Sequence, residues 1–189
     1  MIIADGVSLD ENLKKNTIWF ECSRAKGEGQ KGLWTHRYLE YFLKYTDASI
    51  VLRVDPDTCV WRNFALPVGD YDIFGTIEPR KYRYPYVLGG CIGFTRECAQ
   101  KIVDSKLLLD SKFKHFNYQR YKHHRWEHEV ESDEQIAFQD WIVADVAFEL
   151  NLKLQEWKEI CILGNYKRVP KIETFAITHP HPLLKDYHA

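Results

Sequence analysis

Residues 49–54, SIVLRV, are the strongest candidate for a buried strand in this chain, and they run straight into Asp55-Pro56-Asp57-Thr58. A short, continuous apolar run bounded by a turn signal reads as a strand covered on both faces. Ligands of α/β sheets bind beyond the carboxyl ends of such strands. Asp55 and Asp57 stand two residues apart at that end, with Pro56 stiffening the turn between them. Two carboxylates so spaced can reach one divalent cation, and oxygen ligands of this kind suit Mg²⁺ or Mn²⁺. The plainer reading is an Asp-Pro turn without a ligand.

The rest of the chain supports a layered α/β fold. At 189 residues, 45% hydrophobic and 28% charged, it has the length and composition of one globular domain with a real core. The net charge of −1 argues against a protein that works by gripping a nucleic-acid backbone. No apolar run approaches the roughly 18 residues of a membrane span, and MIIADG lacks the basic region of a signal peptide. The five cysteines, Cys22, Cys59, Cys91, Cys98 and Cys161, include no CxxC pair. They read as free thiols in a reducing compartment rather than as a zinc site. A cytoplasmic protein without a transmembrane segment is the expectation.

Short β-like runs alternate with helical ones. Strand candidates are residues 1–4, 17–22, 71–77, 86–88, 152–157, 159–163 and 175–178, with Gly89-Gly90 and then residues 91–94 following the fourth. Residues 25–32, AKGEGQKG, carry three glycines and read as a loop, followed by a helix over 33–45. Thr95 is a plausible N-cap for a helix to about residue 103. Ser132 and Gln135 have capping-box spacing, which predicts a long helix over 133–150. The expected fold is one domain over residues 1–189, with a mixed, mainly parallel sheet and helices on both faces.

On that last helix, Ile136, Val143, Ala144 and Ala147 make an apolar stripe with Asp140 in its middle, while Asp145 and Glu149 fall on the opposite, solvent side. A carboxylate on the apolar face needs a partner or a polar cavity. Half-buried, it is a candidate general base; the alternative is an internal salt bridge. Two histidine groups also stand out. His179 and His181 follow the strand at 175–178, and His179 could complete an oxygen-rich Mn²⁺ site. His115, His123, His124 and His128 lie among basic and aromatic residues and read as a solvated loop on the acceptor side.

Taken together these segments resemble glycosyltransferases of the GT-A fold, especially the family-2-like group. The resemblance spans about residues 1–182 and implies a Rossmann-type three-layer sandwich. IIADGVS resembles the strand whose closing Asp contacts the base, which gives that role to Asp5. AKGEGQKGLWTHR resembles the nucleotide-side loop and helix, so that Lys26, Lys31 and Arg37 would face phosphates. VLRVDPDT resembles the metal motif, with Asp55 towards the ribose and sugar and assisting at the metal, and Asp57 as direct ligand. YVLGGCIGF resembles the segment lining the donor sugar, where Gly89 and Gly90 allow close approach. QDWIVADVAFELNLKL resembles the segment that bears the catalytic carboxylate, here Asp140, with Gln139 in place of the usual Glu and Asn151 in the usual Gly position. AITHPH resembles the late metal-binding His, here His179.

The resemblance implies a transferase that uses Mn²⁺ or Mg²⁺ and a nucleotide-sugar, a UDP-sugar first, on a glycan or lipid-linked acceptor. Inversion with Asp140 as base is the implied route, and nucleic acid is not an implied partner. Two other classes use similar features: a nucleotidyltransferase of related fold, and a non-catalytic module that binds a nucleotide or glycan.

Overall fold

The computed structural model describes residues 2–5, 17–20, 30–55, 58–60, 62–79, 84–110, 115–116, 135–136, 139–162 and 175–179. In chain order they form β1 (Ile2–Asp5), β2 (Thr17–Phe20), α1 (Gln30–Tyr45), β3 (Ile50–Val54), β4 (Cys59–Val60), β5 (Ile73–Glu78) and β6 (Tyr86–Thr95). Then come α2 (Arg96–Ser105), a 3-10 turn (Leu107–Leu109), β7 (His115–Phe116), β8 (Gln135–Ile136), α3 (Gln139–Glu149), β9 (Leu154–Glu156), β10 (Ile160–Ile162) and β11 (Ile177–His179). Helices and mixed sheets together make this an α/β protein.

The central sheet has four strands in the order β3-β6-β5-β9. Its long middle strand, β6, continues unbroken through Gly89-Gly90, so the strand candidate at 86–88 extends to Thr95. Side chains alternate across it. Ile92 and Phe94 face one apolar cluster with Tyr38, Leu39 and Phe42 of α1, Cys98 and Ile102 of α2, and Val143 and Val146 of α3. Cys91 faces the other cluster, with Phe74, Trp157, Ile160, Ala176 and Ile177. There Trp157 donates its indole N–H to the Ala65 carbonyl at 2.8 Å, satisfying its polar edge in an apolar setting.

One expectation about the sheet needs correction. Both β3 and β5 run antiparallel to β6, and only β5 and β9 are parallel in this sheet. The physical reason is plain for β5 and β6: only residues 79–85 join them, too few for the crossover that a parallel pair requires. Among the described residues, all three helices contribute to the first cluster, and the second is built from strands and connecting segments.

Local signals fared better where one residue dictates the geometry. Thr95 caps α2, its hydroxyl accepting from the Cys98 N–H at 3.2 Å. Asn151 is left-handed at φ 51° and closes α3, and the Leu152 N–H reaches back to the Ala147 carbonyl at 2.8 Å. By contrast, α1 begins at Gln30, inside the stretch expected to be loop. Gly32 belongs there because a Cβ would come within 2.2 Å of the Leu108 carbonyl oxygen. Cys91 and Cys98 are free, as expected, and both are buried; the other three cysteines have no described side chain.

The largest correction concerns the last helix. Gln135 and Ile136 are a strand, paired antiparallel with Phe116 and His115, and α3 starts only at Gln139. Asp140 is therefore in the first helical turn rather than mid-helix, and Ile136 does not share its helix. Asp145, expected on the solvent side, is buried, while Glu149 is exposed.

Candidate functional site

Three elements meet at the carboxyl end of β3. The pairing of Val54 with Cys91 places the end of β3 beside Gly90, and the Asp55 N–H donates to the Gly90 carbonyl at 3.1 Å. The same carbonyl accepts from the Thr58 hydroxyl at 2.9 Å, and the Thr58 N–H donates to the Asp55 carbonyl at 2.9 Å. The Asp-Pro-Asp-Thr turn is thus fastened at both described ends to β6. One residue earlier, the Gly89 N–H donates to Asp140 Oδ2 at 2.9 Å. A Cβ on Gly89 would lie 2.3 Å from Asp140 Oδ1, so the close approach requires glycine.

Arg53 joins these carboxylates. Its guanidinium forms an ion pair with Asp55 through Nη2 and Oδ1 and lies 5.4 Å from the centroid of the Trp34 ring. The Arg53 side chain is only 12% exposed and that of Asp55 25%, so the pair is mostly withdrawn from water yet open on the Asp55 side.

Asp140 is half-buried, and its carboxyl is raised above the usual carboxylate range. Burial is the main cause, since desolvation disfavours the charged form. The Gly89 N–H and the Arg53 guanidinium oppose the rise, and the Asp55 carboxylate adds to it. Nearby, burial raises the Tyr86 hydroxyl to about 12 and the Cys91 thiol to about 12, which keeps both protonated. A carboxylate that holds its proton tightly, yet is fixed by an N–H, is suited to accepting a proton from a hydroxyl.

The raised value has a consequence for stability. The folded state holds the Asp140 proton more tightly than the unfolded chain. The resulting stabilisation is complete below a pH of about 4 and is lost as pH rises through the raised value. Asp140→Asn has no such proton to lose. In EDTA, its melting temperature is expected to gain on that of the wild type as pH rises from about 4 to about 8. A constant difference across that range would contradict the assignment.

Of the residues singled out in the sequence, Asp55, Gly89, Gly90 and Asp140 come together here. Arg37 is exposed on α1 and makes no described contact with the cluster. Lys31 lies in the first turn of α1 and Asp5 ends β1, opposite Phe20, but the side chains of both lie outside the described residues. Lys26 and Asp57 lie wholly outside them. His179 closes β11, and its side chain is likewise not described. Its backbone is informative all the same: β11 runs antiparallel to β4, with Thr178 opposite Cys59. Cys59 is the second residue after Asp57.

The sequence reading missed Arg53, Trp34, Tyr38 and Thr58. Arg53 had a readable signal, a lone charge inside an apolar strand. Trp34 and Tyr38 sit at i and i+4 on α1 and read as ordinary core.

Among the described residues, no group of three or more His, Cys, Asp or Glu side chains is placed to hold a metal ion. Asp55 is the one proposed metal ligand whose side chain is described, and Arg53 engages its Oδ1. No helix among the described residues is long and apolar enough to cross a membrane. The sequence matches no protein-family model, and a search of curated proteins finds no match.

Proposed function

We propose that this chain is a metal-dependent glycosyltransferase that moves a sugar from a nucleotide-sugar, a UDP-sugar first, to an acceptor hydroxyl. The observation that carries the reading is the half-buried Asp140 carboxyl, held by the Gly89 N–H beside the Arg53–Asp55 pair at the end of β3. This reading includes the three-layer GT-A arrangement, a cytoplasmic location and a glycan or lipid-linked acceptor.

In the proposed reaction Asp140 takes the proton of the acceptor hydroxyl as that oxygen bonds to the anomeric carbon. The bond from that carbon to the diphosphate oxygen breaks, and UDP leaves with the bonding pair. Attack opposite the leaving group inverts the anomeric centre. Asp55, Asp57 and His179 would hold Mn²⁺ or Mg²⁺, which when bound supplies neutralisation of the leaving diphosphate. The β4–β11 register supports this grouping, because it sets Thr178, the neighbour of His179, opposite Cys59, two residues after Asp57. Lys31, Arg37 and Asp5 would serve the nucleotide.

The test is product analysis after incubation with UDP-glucose, UDP-galactose or UDP-N-acetylglucosamine and Mn²⁺. Release of UDP with a new glycoside is expected. Pyrophosphate from UTP and a sugar phosphate would instead mark a nucleotidyltransferase, and binding without turnover a non-catalytic module.

A further inference from the structure

Arg53 is a charge in the middle of an apolar strand, and its side chain is only 12% exposed. A buried ion pair is often no more stable than well-packed apolar side chains in its place, so the fold alone gives little reason to keep one. Nor is this guanidinium held as a structural arginine is, by hydrogen bonds around its whole fork. Nη2 goes to Asp55, whereas Nε and Nη1 are buried and have no hydrogen-bond partner among the described residues. Trp34 of α1 lies beside it, 5.4 Å from guanidinium to ring centroid, with Tyr38 next along the helix at 5.0 Å between ring centroids. What the position retains is a positive charge, placed against a carboxylate and two aromatic rings.

The sheet register shows which groups share that charge. Arg53 stands opposite Ile92, so both point to the face that the helices cover. Asp55 comes two residues later on the same side, its N–H bond to the Gly90 carbonyl continuing the register. Asp140 arrives from α3, whose Val143 and Val146 pack on that face, and it is fixed to β6 by the Gly89 N–H. One cation thus shares a side of the sheet with two carboxylates, and its charge opposes the rise that burial causes in Asp140. Around Asp140, β6 also brings the Tyr86 hydroxyl, and the 3-10 turn packed on α3 brings the apolar Leu107–Leu109. Helix α1, which meets α3 at Gly32, carries His36 one turn further on, 3.4 Å from Glu40.

We infer that Arg53 is a positioning residue: it holds Asp55 at the end of β3 and supplies the positive charge that Asp140 shares across the same face. This rests on the transferase reading and deepens it, since it names the residue through which the proposed metal ligand and the proposed base are set together.

The test follows the Asp140 proton in EDTA in five backgrounds: wild type, Arg53→Lys, Arg53→Met, Asp55→Asn and the double variant Arg53→Met/Asp55→Asn. The double variant leaves no unpaired Asp55 charge, so it reports on Arg53 even where Arg53→Met alone fails to fold. Melting temperature is measured from pH about 4 to about 8, with and without Asp140→Asn. The folded chain holds the Asp140 proton more tightly than the unfolded chain, so Asp140→Asn gains on its parent as pH rises. Loss of the Arg53 charge tightens that hold. The gain is expected to be larger, and to run to higher pH, in Arg53→Met than in wild type, and in the double variant than in Asp55→Asn. Arg53→Lys is expected to return it towards the wild-type value. Transfer by Arg53→Met is expected to fall about 10²-fold, as for a displaced catalytic group.

A gain that is the same with and without the Arg53 charge would overturn the inference, however far the melting temperature itself drops, because a merely structural arginine does not move the Asp140 proton. UDP is titrated calorimetrically into the wild type with Mn²⁺ alongside. A wild type that does not bind UDP, but whose Asp140 proton follows Arg53, overturns the transferase reading and supports the hold of Arg53 on the two carboxylates. A wild type that binds UDP, with an Asp140 proton indifferent to Arg53, overturns this inference alone.

Discussion

Asp140→Asn is expected to lower glycosyl transfer by about 10²–10⁴-fold, the usual worth of a positioned general base, while leaving affinity for UDP within about twofold. The side chains are nearly isosteric, and the Asn amide oxygen can still accept the Gly89 N–H that now reaches Asp140 Oδ2 at 2.9 Å. What disappears is the group able to take a proton. Because burial raises the Asp140 carboxyl, removing the charge also relieves a desolvation cost, so the variant is expected to fold at least as well as the wild type at neutral pH. Lost transfer with intact folding and intact UDP binding would separate chemistry from structure. Transfer retained at near wild-type rate would remove Asp140 as the base.

Gly89→Ala is the second large effect, and it acts through space rather than through charge. The added Cβ would sit 2.3 Å from Asp140 Oδ1 and 3.1 Å from Cγ and Oδ2. Either the carboxyl leaves the Gly89 N–H or β6 and α3 move apart. Overpacking of this kind costs about 1–3 kcal/mol, and a base displaced by an ångström loses about 10²-fold in rate. Both losses are expected together, as a lower melting temperature and a fall in transfer. The double variant Gly89→Ala/Asp140→Ala removes the obstructing oxygens. Its melting temperature should recover part of the Gly89→Ala loss, a non-additivity that marks direct contact, while transfer stays absent. Simple addition of the two stability losses would contradict the contact.

What the sequence revealed divides along physical lines. Features set by one residue's backbone or capping chemistry were legible: the Thr95 cap, the left-handed Asn151, and the turn that follows β3. Features set by which strand finds which were not. An apolar run such as residues 49–54 looks the same in a parallel or an antiparallel sheet, so the pairing of β3 with β6 could not be read from it. The start of α3 was misplaced because Ser132 and Gln135 have capping-box spacing, whereas Gln135 and Ile136 pair instead with β7. Asp140 was singled out for its place on an apolar helical stripe. Its burial in fact arises at the first turn of a helix that meets β6 at Gly89. The cluster of Trp34, Tyr38 and Arg53 joins a helix to a strand, a relation that periodicity along one element does not contain.

The most direct test of the central claim is calorimetric titration of UDP into the wild-type chain, first with Mn²⁺ and then with EDTA, beside Asp57→Ala. The account predicts binding that needs both the metal and Asp57. No binding of UDP, GDP or CDP under any of these conditions would contradict it, leaving the Asp-Pro-Asp sequence as a turn and the transferase reading without support.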